Sequence, residues 1–179
     1  SVKFFSNVFL RYAIAIIALS AIGHFVPEVM GLGTGTVLGA VSGEYVLYFA
    51  FIILIGKILA TSVSLGLGFF GGVFSPALLV GASAGAVVAE LFVVVGFLEK
   101  FEPALVVSGM AAVTGAVIGA PLCMVVIVME LTSSYIYALA SLVGLTLSVS
   151  LSHILFGASY FDRQLGARGI DISTGRSGM

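Results

Sequence analysis

Residues 57–82 read Lys57-Ile-Leu-Ala-Thr-Ser-Val-Ser-Leu-Gly-Leu-Gly-Phe-Phe-Gly-Gly-Val-Phe-Ser-Pro-Ala-Leu-Leu-Val-Gly-Ala82. Two properties of this stretch decide the fold. After Lys57 no charged residue occurs until Glu90. Such a gap exceeds the roughly 20 apolar residues that a helix needs to cross a bilayer. Glycines and a proline also interrupt the run at Gly66, Gly68, Gly71-Gly72 and Pro76. Clustered glycines beside a proline break a helix. The stretch therefore predicts two membrane helices joined by a deliberate break.

The same pattern extends outward. No charge separates Glu102 from Glu130, or Glu130 from Asp162. Of the 179 residues, 60% are hydrophobic and 8% charged, and mean hydropathy is +1.26. A soluble domain carries about a quarter charged residues, so this chain cannot face water over its surface. Nearly continuous apolar runs exclude a transmembrane barrel, whose strands alternate apolar with polar residues. The predicted class is an all-α, polytopic membrane protein with tilted, broken and re-entrant helices. Seven basic and eight acidic residues give a net charge of -1 and no basic stripe, which excludes nucleic-acid binding as a main role. One cysteine, Cys123, can form neither an internal disulfide nor a zinc cage.

Along the chain, residues 1–11 read as interfacial, with Lys3 and Arg11 among aromatics, and 12–26 as an apolar run ending at Pro27. A signal peptide is rejected there, because the text that follows is membrane-like throughout. The chain starts without Met and reads as an excerpt of a longer protein. Residues 27–43 are glycine-rich and too short to span, which predicts a re-entrant or broken segment. Helices are expected over 45–66, 73–98 and 134–156, and a final short one starts within 157–168. Residues 103–132 divide at Gly119-Ala120-Pro121 into halves each too short to cross alone. A pair broken near the midplane is a pointer to a transport site. Residues 1–168 form the membrane part and 169–179 a polar tail or linker. Arg163, Arg168 and Arg176 predict that this tail is cytoplasmic.

The chemistry centres on Gly71-Gly72-Val73-Phe74-Ser75-Pro76. Two glycines permit a sharp turn, and proline is tolerated in a first helical turn. A helix starting near Phe74 leaves free N–H groups at Val73 and Phe74, a partly positive end that suits an anion. At membrane depth those donors need a partner, since an unsatisfied group costs several kcal/mol. The structural alternative is that Ser75 caps the turn and the glycines only pack. For Gly81 and Gly85 packing is the preferred reading.

Other candidates are weaker. Tyr160 follows Gly157 at the start of the final helix, where a tyrosine commonly marks the membrane interface. Lys57 lies toward the end of its run and is expected to snorkel to the interface. Glu130 stands at a helix end, and a structural carboxylate bonded to a neighbouring turn is favoured over proton transfer. His24 and His153 are isolated, so packed or interfacial roles are expected and no metal site. A rival catalytic reading pairs Ser83 of Gly81-Ala82-Ser83 with His153 as nucleophile and base, as in a rhomboid-like intramembrane protease. Ala84 stands where that motif wants glycine, and Ser83 and His153 are expected at different depths. A second rival is an unrelated inverted-repeat transporter for a carboxylate substrate. The chain is read as no enzyme.

Three motifs together resemble one family. The 57–82 stretch, with Gly72 to Pro76 as Gly-x-Phe-x-Pro, resembles the signature of the CLC chloride channels and proton/chloride exchangers. Gly119-Ala-Pro-Leu, leading into Met129-Glu-Leu-Thr, resembles that family's second conserved region, and Ser159-Tyr160 its third. The resemblance covers nearly the whole chain and implies the second half of an inverted-repeat membrane domain. It implies transmembrane chloride transport, by conduction or proton-coupled exchange. In that family the amides of Gly-x-Phe-x-Pro hold the central chloride, here those of Val73 and Phe74, with Gly72, Ser75 and Pro76 forming the loop. The tyrosine opening the last helix offers its hydroxyl to the same ion, here Tyr160. A neutral hydroxyl with backbone dipoles binds chloride without trapping it.

The resemblance also implies partners. These are chloride as the transported ligand with no cofactor, the lipid bilayer, the N-terminal half of the same polypeptide, and a homodimer with the Pro121 pair and the helix after Tyr135 at its interface. The tail from Gly169 looks like a linker to cytoplasmic CBS domains. Two positions depart from the family pattern. Leu67, Phe69 and Phe70 replace small residues, and Gly119 stands where arginine is common. The family's first-half gating and proton-accepting glutamates are not in this stretch, so channel and exchanger are not separated.

Overall fold

The structure is a computed structural model, and it describes residues 8–69, 71–98 and 103–156. Among these the chain forms seven α-helices and one 3₁₀ turn. Helix α1 is Val8–Phe25, the 3₁₀ turn is Pro27–Val29, and α2 is Thr34–Val41. Then follow α3 (Leu47–Gly66), α4 (Phe74–Val94), α5 (Pro103–Ile118), α6 (Pro121–Thr132) and α7 (Tyr135–Phe156). Three of them, α3, α4 and α7, are long and apolar enough to cross a membrane.

The predicted breaks fall where the punctuating residues stand. The 27–43 segment is indeed broken, into the 3₁₀ turn and the short α2. Residues 103–132 divide between α5 and α6. Gly119 takes a positive φ of 76°, where a Cβ is disfavoured, and Pro121 opens the next helix. Ser133 closes α6 with φ 50°.

Helix α5 is the centre of the assembly, because it packs on α4 along one side and on α7 along another. The seam buries many small residues, Ala82, Ala86 and Ala89 of α4, Ala111 of α5 and Ala138 of α7, together with Val106, Val107 and Met110 of α5 and Leu145 of α7. Many other large residues point outward, among them Phe51, Leu59 and Val94. This arrangement suits lipid. Packing between membrane helices favours small residues that let backbones approach, and the lipid tails accept leucine and isoleucine. Hydroxyls tie the seam further. Ser108 Oγ donates to the Ala140 carbonyl at 3.1 Å and Ser148 Oγ to that of Ala112 at 2.9 Å.

A second core joins the N-terminal elements. Val29, Ile53, Ala60 and Leu79 form one buried cluster among the 3₁₀ turn, α3 and α4. Beside it, burial pushes the Tyr45 phenol up from its ordinary range, with the Glu44 and Glu28 carboxylates adding to the effect.

Candidate anion site

Helix α4 begins where its sequence says it can. Gly71 and Gly72 lead in without regular structure, Val73 is the N-cap with φ -86° and ψ -17°, and Phe74 is the first helical residue. The Ala77 amide bonds the Val73 carbonyl at 3.1 Å. The amides before it lie in the first turn, where a helix offers no acceptors. Pro76 has none to donate. Among the described residues the Val73 and Phe74 amides find no backbone acceptor.

The structural alternative for this loop does not hold. Ser75 does not cap the turn. Its hydroxyl donates instead to the Leu32 carbonyl, far away in sequence. Among the described residues neither Gly71 nor Gly72 takes a positive φ. The positive φ, 92°, belongs to Gly68, just after α3 ends. A Cβ added at Gly71 or Gly72 would meet nothing within 4 Å. The fold therefore asks for glycine at Gly68, whereas at Gly71 and Gly72 bare backbone borders open space.

That space is a cleft of about 230 Å³. Gly71, Gly72 and Pro76 line it from the loop, and Lys57, Thr61 and Ser64 from α3. Val73 and Phe74 adjoin the cleft without lining it. The loop before α4 is steadied by α1: Arg11 donates to the Leu67 carbonyl at 2.8 Å, and Tyr12 meets Phe69 edge to face with ring centroids 5.1 Å apart. Bulk at Phe69 thus packs against α1 while it also forms part of the cleft wall.

Lys57 is the residue that sequence reasoning placed wrongly. It does not snorkel. Its side chain is 4% exposed, and Nζ donates to the carbonyls of Val29 at 2.7 Å and Gly31 at 3.1 Å. Among the described residues no carboxylate pairs with it, so its partners in the cleft wall are these carbonyls. The available signal was a cation inside a membrane run, which by default faces the protein interior. The glycine-broken turn at 29–32 provides carbonyls with no helical donor, and these draw it inward.

The remaining candidates separate. Ser83 is buried on α4 and His153 is exposed on α7, with α5 packed against both helices. No Ser–His dyad forms, which removes the protease reading. Glu130 is exposed and its carboxylate makes no hydrogen bond among the described residues, so the bond to a neighbouring turn expected of it does not form there. His24 is exposed and meets Phe25 edge to face, in keeping with an interfacial residue. Gly81 and Gly85 pack as expected: a Cβ on either would come 2.5 Å from a carbonyl oxygen of α5. Tyr160, the final short helix and the tail lie outside the described residues.

Relatives carry the same kind of sequence. An uncharacterized protein of Methanocaldococcus jannaschii is 35% identical over 106 residues, 59% of this chain and 25% of its own length. A ClcB-like protein of Ralstonia nicotianae is 29% identical over 157 residues, covering 87% of this chain and 37% of its own. The H(+)/Cl(-) exchange transporter ClcA of Vibrio parahaemolyticus is 26% identical over 142 residues, 79% of this chain and 30% of its own. The chain thus spans 25–37% of the length of these relatives. Residues 2–153 match the family model described as voltage gated chloride channel, which replaces the reading as an unrelated transporter. Broken helices, a bare-backbone loop opening α4 and this match over most of its length agree: the chain belongs to the voltage-gated chloride channel (CLC) family.

Proposed function

We propose that this chain forms part of a chloride-transport pathway, with the anion held at the start of α4 by the amides of Val73 and Phe74 and by the Tyr160 hydroxyl. One observation carries the reading. A helix N-terminus with unpaired amides opens beside a cleft whose wall holds an ammonium and no paired carboxylate. Such a region has positive potential and hydrogen-bond donors, and so favours an anion over a cation. The Gly72 backbone leaves room for an ion to approach. Gly72, Ser75 and Pro76 form the supporting loop.

Several wider features belong to the same proposal. The relatives named as ClcA exchange chloride for protons, which makes proton coupling one form of the activity here and simple conduction the other. The N-terminal half of the same polypeptide supplies the other wall of the pathway. The exposed apolar residues of α6 and α7, such as Leu122, Val126, Leu139 and Val143, form the contact of a homodimer. The arginine-bearing tail is cytoplasmic by the positive-inside rule, and CBS domains follow it.

The test is efflux. The complete polypeptide carrying this chain is reconstituted in liposomes, with a chloride electrode and a pH electrode in the same vessel. Chloride release is the expected result. Proton movement alongside it identifies an exchanger, and a steady pH identifies a channel. Liposomes that contain folded protein yet hold their chloride would remove the proposal.

A further inference from the structure

The turn between the 3₁₀ element and α2 is held from three directions. From α3, Lys57 Nζ donates to Val29 and Gly31. From α4, the Ser75 hydroxyl donates to Leu32, the next residue along. From α2, Thr36 Oγ1 donates to the Glu28 carbonyl at 2.9 Å. The turn also rests directly on α4, because a Cβ added at Gly33 would come 2.7 Å from Leu79 Cδ2. Leu79 in turn is fully buried against Val29 and Ile53.

These contacts make the turn a strut. Its carbonyls are not spent in a helix; that of Val29 is buried, where a carbonyl without a donor is costly, while that of Leu32 is exposed. Lys57 supplies a donor on one side and Ser75 on the other. Ser75 is the second residue of α4, one position after Phe74. A shift of the turn therefore moves the first turn of α4. Small displacements of a binding group weaken what it holds.

We propose that Lys57 is a positioning residue: through the turn 29–32 and Ser75 it sets where the first turn of α4, and so its free amides, stand. The inference rests on the reading of that helix start as the anion site. It differs from a role for Lys57 as a bare charge. A bare charge acts on the ion without reference to Ser75. A strut makes the two residues act as one, so removing the second adds little once the first is gone.

The experiment uses the complete polypeptide in liposomes, with Cys123 and every other native cysteine replaced by serine and Gly72→Cys as reporter. The added side chain has open space around it. Its rate of modification by a water-soluble methanethiosulfonate reagent is measured in four backgrounds: wild type, Lys57→Met, Ser75→Ala and the double variant. Each single change is expected to alter the rate in the same direction, and the double variant to match the stronger single. Rates whose effects multiply, or singles that leave the rate unchanged, overturn the proposal. Where Lys57→Met gives no monodisperse protein, Lys57→Gln, which keeps one donor group, takes its place in the same cycle. Chloride efflux of the parent protein is recorded in parallel. Coupled labelling without chloride efflux leaves the strut standing and removes the anion reading. Efflux with multiplying rates removes the strut alone.

Discussion

Two groups of glycines, one inside α4 and one just before it, meet opposite surroundings. At Gly81 and Gly85, inside α4, a Cβ would run into the backbone of α5, 2.5 Å from the carbonyls of Gly109 and Leu105. At Gly71 and Gly72, just before α4, a Cβ would touch nothing within 4 Å. The first pair is glycine because two helices must touch. The second pair has no such reason in the fold. What remains there is access: bare backbone at the mouth of a cleft, next to donors that no helix satisfies. Empty surroundings alone do not single out a site, since Gly35 and Gly66 have them too; at Gly71 and Gly72 they coincide with a cleft and with free amides at the start of α4.

The contrast is broken or sharpened by substitution. The largest effect is expected at Gly85→Leu. Overpacking an ordinary core costs about 1–3 kcal/mol, and here the obstacle is backbone that cannot rotate away, so the loss exceeds that range. Size-exclusion chromatography in detergent should show no monodisperse species. Normal yield and an unchanged unfolding midpoint would show that α4 and α5 do not meet as described.

Next comes Val73→Glu. On the proposed function, a carboxylate at the N-cap of α4 would occupy the donors assigned to the anion and repel it. Chloride efflux should fall at least tenfold, equivalent to about 1.4 kcal/mol, with protein yield retained. Undiminished efflux would place the pathway elsewhere.

Gly72→Ala separates the two regions most directly. The unfolding midpoint should stay at the parent value while chloride affinity drops severalfold. A midpoint lowered as far as in Gly85→Leu would erase the distinction between packing glycine and access glycine.

The smallest effect is expected for Tyr160→Phe. One neutral hydrogen bond is worth roughly 0.5–1.5 kcal/mol net, so chloride titrated calorimetrically should bind a few-fold to about tenfold more weakly. An affinity equal to the parent's would take the Tyr160 hydroxyl out of the site.

Much of this architecture was legible before any coordinates. Long uncharged runs require helices in lipid, because every backbone group there must be satisfied within its own segment. Glycine and proline then dictate where those helices stop, and the breaks at Pro27, Gly71-Gly72 and Gly119-Ala120-Pro121 fall between elements as expected. The helix start at Phe74, with its surplus of donors, also follows from local chemistry alone.

What only the tertiary structure decided is direction. A helix apolar on every side has no polar face to tell inside from outside, so its sequence does not say which way Lys57 turns, or that α5 separates Ser83 from His153. Position along the run suggested that Lys57 escapes to the interface. The carbonyls of Val29 and Gly31 hold it inside instead. Local chemistry left Ser75 open as a cap, yet its partner is Leu32, on a turn that folding brings alongside. In each case the deciding partner lies tens of residues away. Spacing within a helix encodes where it begins and ends, while contacts between helices choose what its polar groups bind.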